Sequence, residues 1–281
     1  MTLTDILTKV GVSTTSDEYE EIKRKYAMAI RERDISNKTV GSYKDGYDCP
    51  LCNNRGFNFV VSGEPLNPFV ATRQCDCMKI RKSLQYMKKS GLANVVDKYS
   101  FHNFNTERDW QKDLKATAEA FTDEQSKWFF VGGRSGCGKT HICTAMCKEL
   151  MKKGKPMRYM LWMDDVKELK STVMEPEKHA KLINDYKNVD VLYIDDFFKT
   201  GKDSTHNQLP SQAEISLAYE IINHRYLEPK AITVISSERT AQDILKIDEA
   251  TGGRILERAT PKYVKNLFSA DVYNYRLKDF M

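Results

Sequence analysis

The chain has 281 residues, 41% of them hydrophobic and 30% charged, with 44 Lys and Arg against 39 Asp and Glu. That is enough for one large domain and one small one, and a net charge of +5 permits nucleic-acid contact without demanding it. No apolar run reaches the 18 residues of a membrane span, and MTLTDILTKV lacks the basic-then-apolar pattern of a secretory signal, so a cytoplasmic protein with no membrane partner is expected.

The first clear element is a helix over residues 15–34. Thr15 and Glu18 form a capping box, and Tyr19, Ile22, Tyr26, Ala29 and Ile30 make an apolar stripe. Next come CPLC (49–52) and CDC (75–77). Two thiolates on each of two arms suit tetrahedral Zn²⁺, so Cys49, Cys52, Cys75 and Cys77 are expected zinc ligands. Four protein ligands leave no open coordination position, which makes the role structural. CPLCNNRGF resembles a zinc knuckle, with Pro50 shaping the turn and Gly56 allowing a tight return. Four unligated thiols and a redox pair are the competing readings, and no thioredoxin-like βαβ pattern surrounds the pairs. FNFVV (57–61) reads as one strand of a hairpin. So small a unit often needs a metal to fold.

Residues 78–91 form a basic helix; its lysines and arginine are either a solvated face or a contact for nucleic acid or an acidic partner. We place an N-terminal domain at residues 1–90 and a linker at 91–105. Within 92–105 a short helical turn precedes an extended aromatic segment. An ATPase domain is expected over 106–281. It opens with an amphipathic helix (106–121) that carries Trp110, Leu114, Ala118 and Phe121 on one face.

The short apolar stretch 127–133 then runs into GGRSGCGKTH (132–141) and a helix over 140–154. Gly133, Gly138, Lys139 and Thr140 fit G-x-x-x-x-G-K-[ST], a P-loop in its required strand–loop–helix setting. Its glycines let backbone N–H groups converge on phosphate oxygens, Lys139 reaches the β- and γ-phosphates, and Thr140 holds Mg²⁺. ATP is expected to lie along Gly133, Arg134, Ser135, Gly136, Cys137, Gly138, Lys139, Thr140 and His141. Cys143 and Cys147, one helical turn apart, read as core residues.

Strand and helix then alternate, the pattern of a three-layer α/β sheet. Strand 157–161 is followed by a charged helical stretch (163–188) broken near Pro176. Strand 190–194 is apolar and ends in Asp195 and Asp196. Asp195 is placed to hold Mg²⁺ and Asp196 to orient or polarise water. A helix (211–229), a strand (231–236), a short capped helix (240–247), a stretch (248–259) that continues towards the C-terminal strand, and that strand (263–268) complete the pattern.

The cysteine pairs, SGL…YSFHNF, FFVGGRSGCGKTH, VDVLYIDDFF, EIINHRY, TVISSERT and IDEATGGRILERA together resemble AAA+ ATPases, specifically the DnaC/DnaI-type replicative-helicase loaders with their IstB-like ATP-binding core. ISSERT and the zinc-type N-terminus are most similar to the phage and Gram-positive branch. The resemblance implies a P-loop AAA+ domain behind a small helical zinc-binding domain. It implies self-assembly through AAA+ domains, a hexameric replicative helicase as partner, and single-stranded DNA. It puts sensor 1 on Ser237 and an arginine finger on Arg254 or Arg258, with Arg225 a weaker inter-subunit candidate. Relatives commonly carry Asp-Glu where this chain has Asp195-Asp196, which bears on hydrolysis rate more than on binding. Lys167, Lys170 and Lys181 either meet DNA phosphates or form a solvated helix face. A transposition-accessory ATPase of the IstB type and a nucleotide-gated sequestering protein with little turnover are the alternatives.

Overall fold

Alternation of strand and helix from residue 129 onward builds one parallel sheet. The computed structural model describes residues 17–64, 67–89, 98–124, 126–200, 208–269, 271–272 and 274–280. The Thr15 capping box, the helical turn expected within 92–97 and the start of SGL…YSFHNF lie outside these. The chain divides into two compact units, residues 1–81 and 82–281.

In the first unit, α1 (Asp17–Asn37) packs against a hairpin of β1 (Phe57–Ser62) and β2 (Phe69–Gln74). Ile22 and Ala29, from the expected stripe, are buried. At the end of the helix Arg55 donates to the Ser36 and Thr39 carbonyls at 2.7 and 2.8 Å, taking up carbonyls the helix cannot satisfy. Asn37 bonds both the N–H and the C=O of Phe59 at 3.0 and 2.9 Å, so the side chain pairs with β1 as a strand would. α2 (Cys77–Lys89) begins in this unit and continues into the second.

The second unit contains α3 (Asp109–Phe121), β3 (Phe129–Gly133), α4 (Lys139–Lys152), β4 (Met157–Leu161), α5 (Trp162–Ser171), α6 (Pro176–Lys187), β5 (Val191–Asp195), α7 (Gln212–Leu227), β6 (Ile232–Ser237), α8 (Ala241–Ile247), α9 (Glu249–Ala259) and β7 (Val264–Leu267). The five strands run parallel in the order β4-β5-β6-β3-β7. Every residue of β3, β5 and β6 is buried, as a sheet covered on both faces requires. α4 packs on β3, β5 and β6 through Ile142, Cys143, Met146, Cys147 and Leu150, so Cys143 and Cys147 are core residues. Burial pushes both thiols well above their ordinary range.

Two local readings are corrected and a third stretch is given its element. Residues 98–105 are not extended. The Ser100 N–H and hydroxyl both donate to Asn103 Oδ1, at 3.0 and 2.7 Å, and close a turn. On α3 it is Gln111, not Trp110, that is buried with Leu114, Ala118 and Phe121. The stretch 248–259 is a separate helix, because Asp248 is extended and caps α9 by accepting from Thr251 N at 2.9 Å.

Asp165, near the start of α5, accepts a 2.8 Å bond from Leu161 N and lies close to Arg158 and Tyr186. Burial outweighs these partners and raises its carboxyl to about 6. A raised carboxylate pKa favours the folded state only while the group is protonated. That contribution is full below the unfolded value and is lost as pH rises through about 6. Asp165→Asn keeps the acceptor for Leu161 and removes the buried charge. It is expected to stabilise the protein at pH 7 by up to about 3 kcal/mol, with no gain near pH 4; thermal melts at the two pH values check this.

Candidate functional site: a P-loop cavity and a four-cysteine cluster

Parallel strands deliver their carboxyl ends to one edge of a sheet. Gly132 of β3 pairs with Ser237 of β6, and Ile194 of β5 with Ile235 of β6, so the P-loop, Asp195 and the end of β6 meet there. A cavity of about 400 Å³ opens between them. Its floor is Ser135 to His141, one wall comes from Tyr99, Asn103, Phe104, Asn105 and Gln111, and the opposite side from Asp196, Lys199 and Glu238. Tyr275 and Arg276 complete the lining.

The loop turns through left-handed glycines at Gly136 (φ 74°) and Gly138 (φ 93°). A Cβ on Gly136 would lie 1.7 Å from Asn274 Oδ1, and the Gly136 carbonyl accepts from Tyr275 N at 3.1 Å. The C-terminal stretch therefore packs directly on the P-loop. Lys139 Nζ donates to the Gly133 and Arg134 carbonyls at 2.8 and 2.9 Å. The Arg134 side chain itself is exposed, and Cys137 is buried with its thiol pushed up by that burial. His141 stacks on Tyr99 with ring centroids 4.5 Å apart and bonds the Ser100 carbonyl at 2.9 Å, tying the helix to the aromatic wall. Burial holds its imidazole below the usual range.

Asp195 is 4% exposed and held by hydroxyls. Thr140 Oγ1 donates to Oδ1 at 3.3 Å, Tyr159 to Oδ2 at 3.0 Å, and Ser236 Oγ to Oδ1. Burial still raises its carboxyl above the ordinary value. The juxtaposed Thr140 hydroxyl and Asp195 carboxylate are oxygen donors of the kind Mg²⁺ takes. Asp196 lines the cavity and pairs with Lys199 at 2.9 Å. Ser237 does not line it. Its hydroxyl is buried and donates to the Phe197 carbonyl at 2.8 Å, and Glu238 is the side chain that reaches the cavity from this strand end.

The arginines separate cleanly. Arg225 is fully buried and donates to the carbonyls of Val189 (2.8 Å), Ile232 (2.6 Å) and Tyr186 (3.1 Å), which corrects its reading as an inter-subunit contact. Burial lowers it to about 9. Arg258 lies over Trp128 and donates to the carbonyls of Ser126, Ala231 and Pro229 at 2.9, 3.1 and 3.2 Å. Arg254 bonds Asn223 Oδ1 at 3.0 Å and the Ala250 carbonyl at 2.8 Å, and leans on the ring of Tyr219. Neither Arg254 nor Arg258 is among the described residues that line the cavity.

The sequence matches the profile of the IstB-like ATP binding proteins over residues 67–278. The chain belongs to this family. It is 30% identical to the phage-like element PBSX protein XkdC of Bacillus subtilis over 256 residues, 87% of this chain and 91% of that protein. The replicative helicase loader DnaC of Escherichia coli is 28% identical over 128 residues, 44% of this chain and about half (51%) of DnaC. A crystal structure of the DnaC helicase loader superposes with a TM-score of 0.47 at 22% identity, covering 62% of this chain and 97% of that one. The family, the P-loop and the parallel five-stranded sheet together make the second unit an AAA+ ATP-binding domain. Among the described residues no helix is long and apolar enough to cross a membrane.

In the first unit the thiols of Cys49, Cys52, Cys75 and Cys77 are all buried and lie within 4.8 Å of one another. Cys49 and Cys75 are 3.8 Å apart and Cys52 and Cys77 3.5 Å, with no disulfide. Tetrahedral Zn–S bonds of about 2.3 Å separate sulfurs by about 3.8 Å, so the residues fit the ion. Gly56 N donates to Cys52 Sγ at 3.3 Å, and that bond, with others from neighbouring thiols, outweighs burial and lowers the Cys52 thiol to about 7. Arg81, only 1% exposed, lies close to Cys77, pairs with Asp45 and donates to Asn54 Oδ1 at 2.7 Å. It supplies positive charge beside what would be a net-negative tetrathiolate site. About one zinc per chain is expected on elemental analysis of protein purified without chelator. Arg81→Met is expected to weaken retention about 10-fold or more against a chromogenic chelator. Protein that carries no zinc would remove the site.

Proposed function

We propose that this chain is an ATP-dependent loader of a hexameric replicative helicase onto single-stranded DNA. The observation that carries the reading is one chain combining a four-cysteine unit with an IstB-like AAA+ domain, homologous to DnaC-type loaders. The N-terminal domain, about residues 1–90, grips the helicase, and the domain from about residue 106 binds ATP and assembles. Lys139 meets the β- and γ-phosphates, Thr140 and Asp195 hold Mg²⁺, which neutralises phosphate charge when bound, and Asp196 orients water. Ser237 acts at one remove, fixing the turn that carries Asp196. Arg254 is the better choice for the trans-acting arginine, because Arg258 is spent on several carbonyls of its own chain.

The mass of this protein mixed with a hexameric replicative helicase, read by light scattering with ATP, with ADP and with neither, tests the reading. A defined complex that changes with nucleotide is expected. No complex in any state overturns the loader and favours an accessory ATPase for a transposase. Arg254→Ala is expected to leave ATP binding intact and to cut assembly-dependent hydrolysis by about 10³-fold. Arg258→Ala is expected to lower thermal stability instead.

A further inference from the structure

The turn that follows β5 is wound against its own preferences. Asp196 and Phe198 both take left-handed backbone, at φ 55° and 56°, which side chains other than glycine adopt only when their surroundings enforce it. Here the surroundings do. Phe197 and Phe198 are fully buried, stack with centroids 4.1 Å apart and meet Trp162 edge-on. Phe197 N donates to the Ser236 carbonyl at 2.8 Å, and Arg239 Nε to the Phe198 carbonyl at 3.1 Å. The turn closes with Lys199 N donating to the Asp196 carbonyl at 2.9 Å.

This winding returns the Lys199 ammonium to the carboxylate three residues before it. Nζ lies 2.9 Å from Asp196 Oδ2 and 3.3 Å from Glu238 Oε1. All three side chains line the P-loop cavity. A carboxylate that orients an attacking water needs its oxygens, and one oxygen of Asp196 is occupied. The pair is also partly exposed, with side chains 37% and 27% accessible, so its worth to stability is small. Glu238 gives the ammonium a second acceptor, so Lys199 can leave Asp196 without becoming an unpaired cation.

We propose that Lys199 is a positioning residue that restrains Asp196, and that Glu238 is the alternative partner which releases it. The inference rests on Asp196 as the residue that orients water. It deepens the nucleotide reading of this cavity and is independent of any helicase.

The two partners have opposite predicted effects. Single-turnover ATP cleavage by the full chain at saturating ATP reads both. Lys199→Ala is expected to raise the rate about threefold or more, and Glu238→Gln to lower it by a similar factor. Affinity for a fluorescent ATP analogue, measured in parallel, stays within about twofold of wild type in each, which also reports that the variants are folded. In an Asp196→Asn background neither substitution changes the rate. Unchanged rates in both single variants overturn the restraint. So does a fall in rate with Lys199→Ala, or an effect of Lys199→Ala that survives Asp196→Asn. Lys139→Ala reports separately on the nucleotide site: if it binds and cleaves ATP like wild type, the P-loop reading fails rather than the restraint.

Discussion

A carboxylate sunk at the end of a central strand must be given donors or it will not stay ionised there. Asp195 is that group, and the second unit is arranged around its needs. Its three hydroxyl donors come from α4, from β4 and from β6. β4 and β6 are the two strands that flank β5, and α4 is the helix that leaves the P-loop. Strand order and acid are therefore one constraint: with any other neighbour in place of β4 or β6, a hydroxyl would be lost from a nearly inaccessible charge. Even with these hydroxyls and the Asp196 N–H at 3.2 Å, burial keeps the carboxyl above its ordinary value. A divalent cation beside Thr140 would favour its ionised form.

The parts of this site that could be read in the sequence are those whose chemistry demands contiguous residues. A P-loop is a single turn, so its glycines, Lys139 and Thr140 must stand together. A strand that ends in an acid shows its apolar run, and four thiols on two short arms show their spacing. The walls of the cavity carry no such signature. Tyr159 reaches Asp195 because β4 lies beside β5 with Tyr159 in register with Tyr193, a pairing that periodicity cannot reveal. At the end of β6 the sequence offers two serines in a row. Successive strand residues face opposite ways, so Ser236 takes the carboxylate and Ser237 the Phe197 carbonyl. Gln111 displaced Trp110 from the buried face of α3 because its amide meets the Tyr275 hydroxyl at 2.5 Å, a contact across 164 positions.

Charge counting fails for a related reason. Arg225 and Arg258 are spent on backbone carbonyls inside their own unit, where a guanidinium satisfies several acceptors without any carboxylate. Two of the three lysines read as DNA candidates are engaged, Lys167 with Asp164 at 3.6 Å and Lys170 with Glu214 at 3.1 Å, as is Lys178 with Glu175 at 3.5 Å, whereas Lys181 is exposed with no ion pair among the described residues. Such exposed pairs add little stability and dissolve readily in salt. They leave less free positive surface for DNA on this helical pair than its composition implies.

The two units are held together internally by different means. The larger one has a five-stranded sheet with three fully buried strands and its own apolar core. Among the described residues the smaller has a two-stranded hairpin, α1 and the start of α2, and their most buried cluster is the four cysteines themselves, with Tyr47 and Met78 against them. A hairpin and a helix bury too little apolar surface to offset the entropy of ordering the chain. Four thiols packed at metal-ligand separations are then a weak core as thiols and a strong one as ligands, because binding free energy at such a site is folding free energy. Arg81 belongs to that economy. It lies close to Cys77 of the second cysteine arm and, through Asn54, bonds the knuckle loop whose Cys49 N–H shares the same amide oxygen at 2.9 Å. One buried cation thus braces the knuckle arm of the site and offsets part of the charge the ligands would carry.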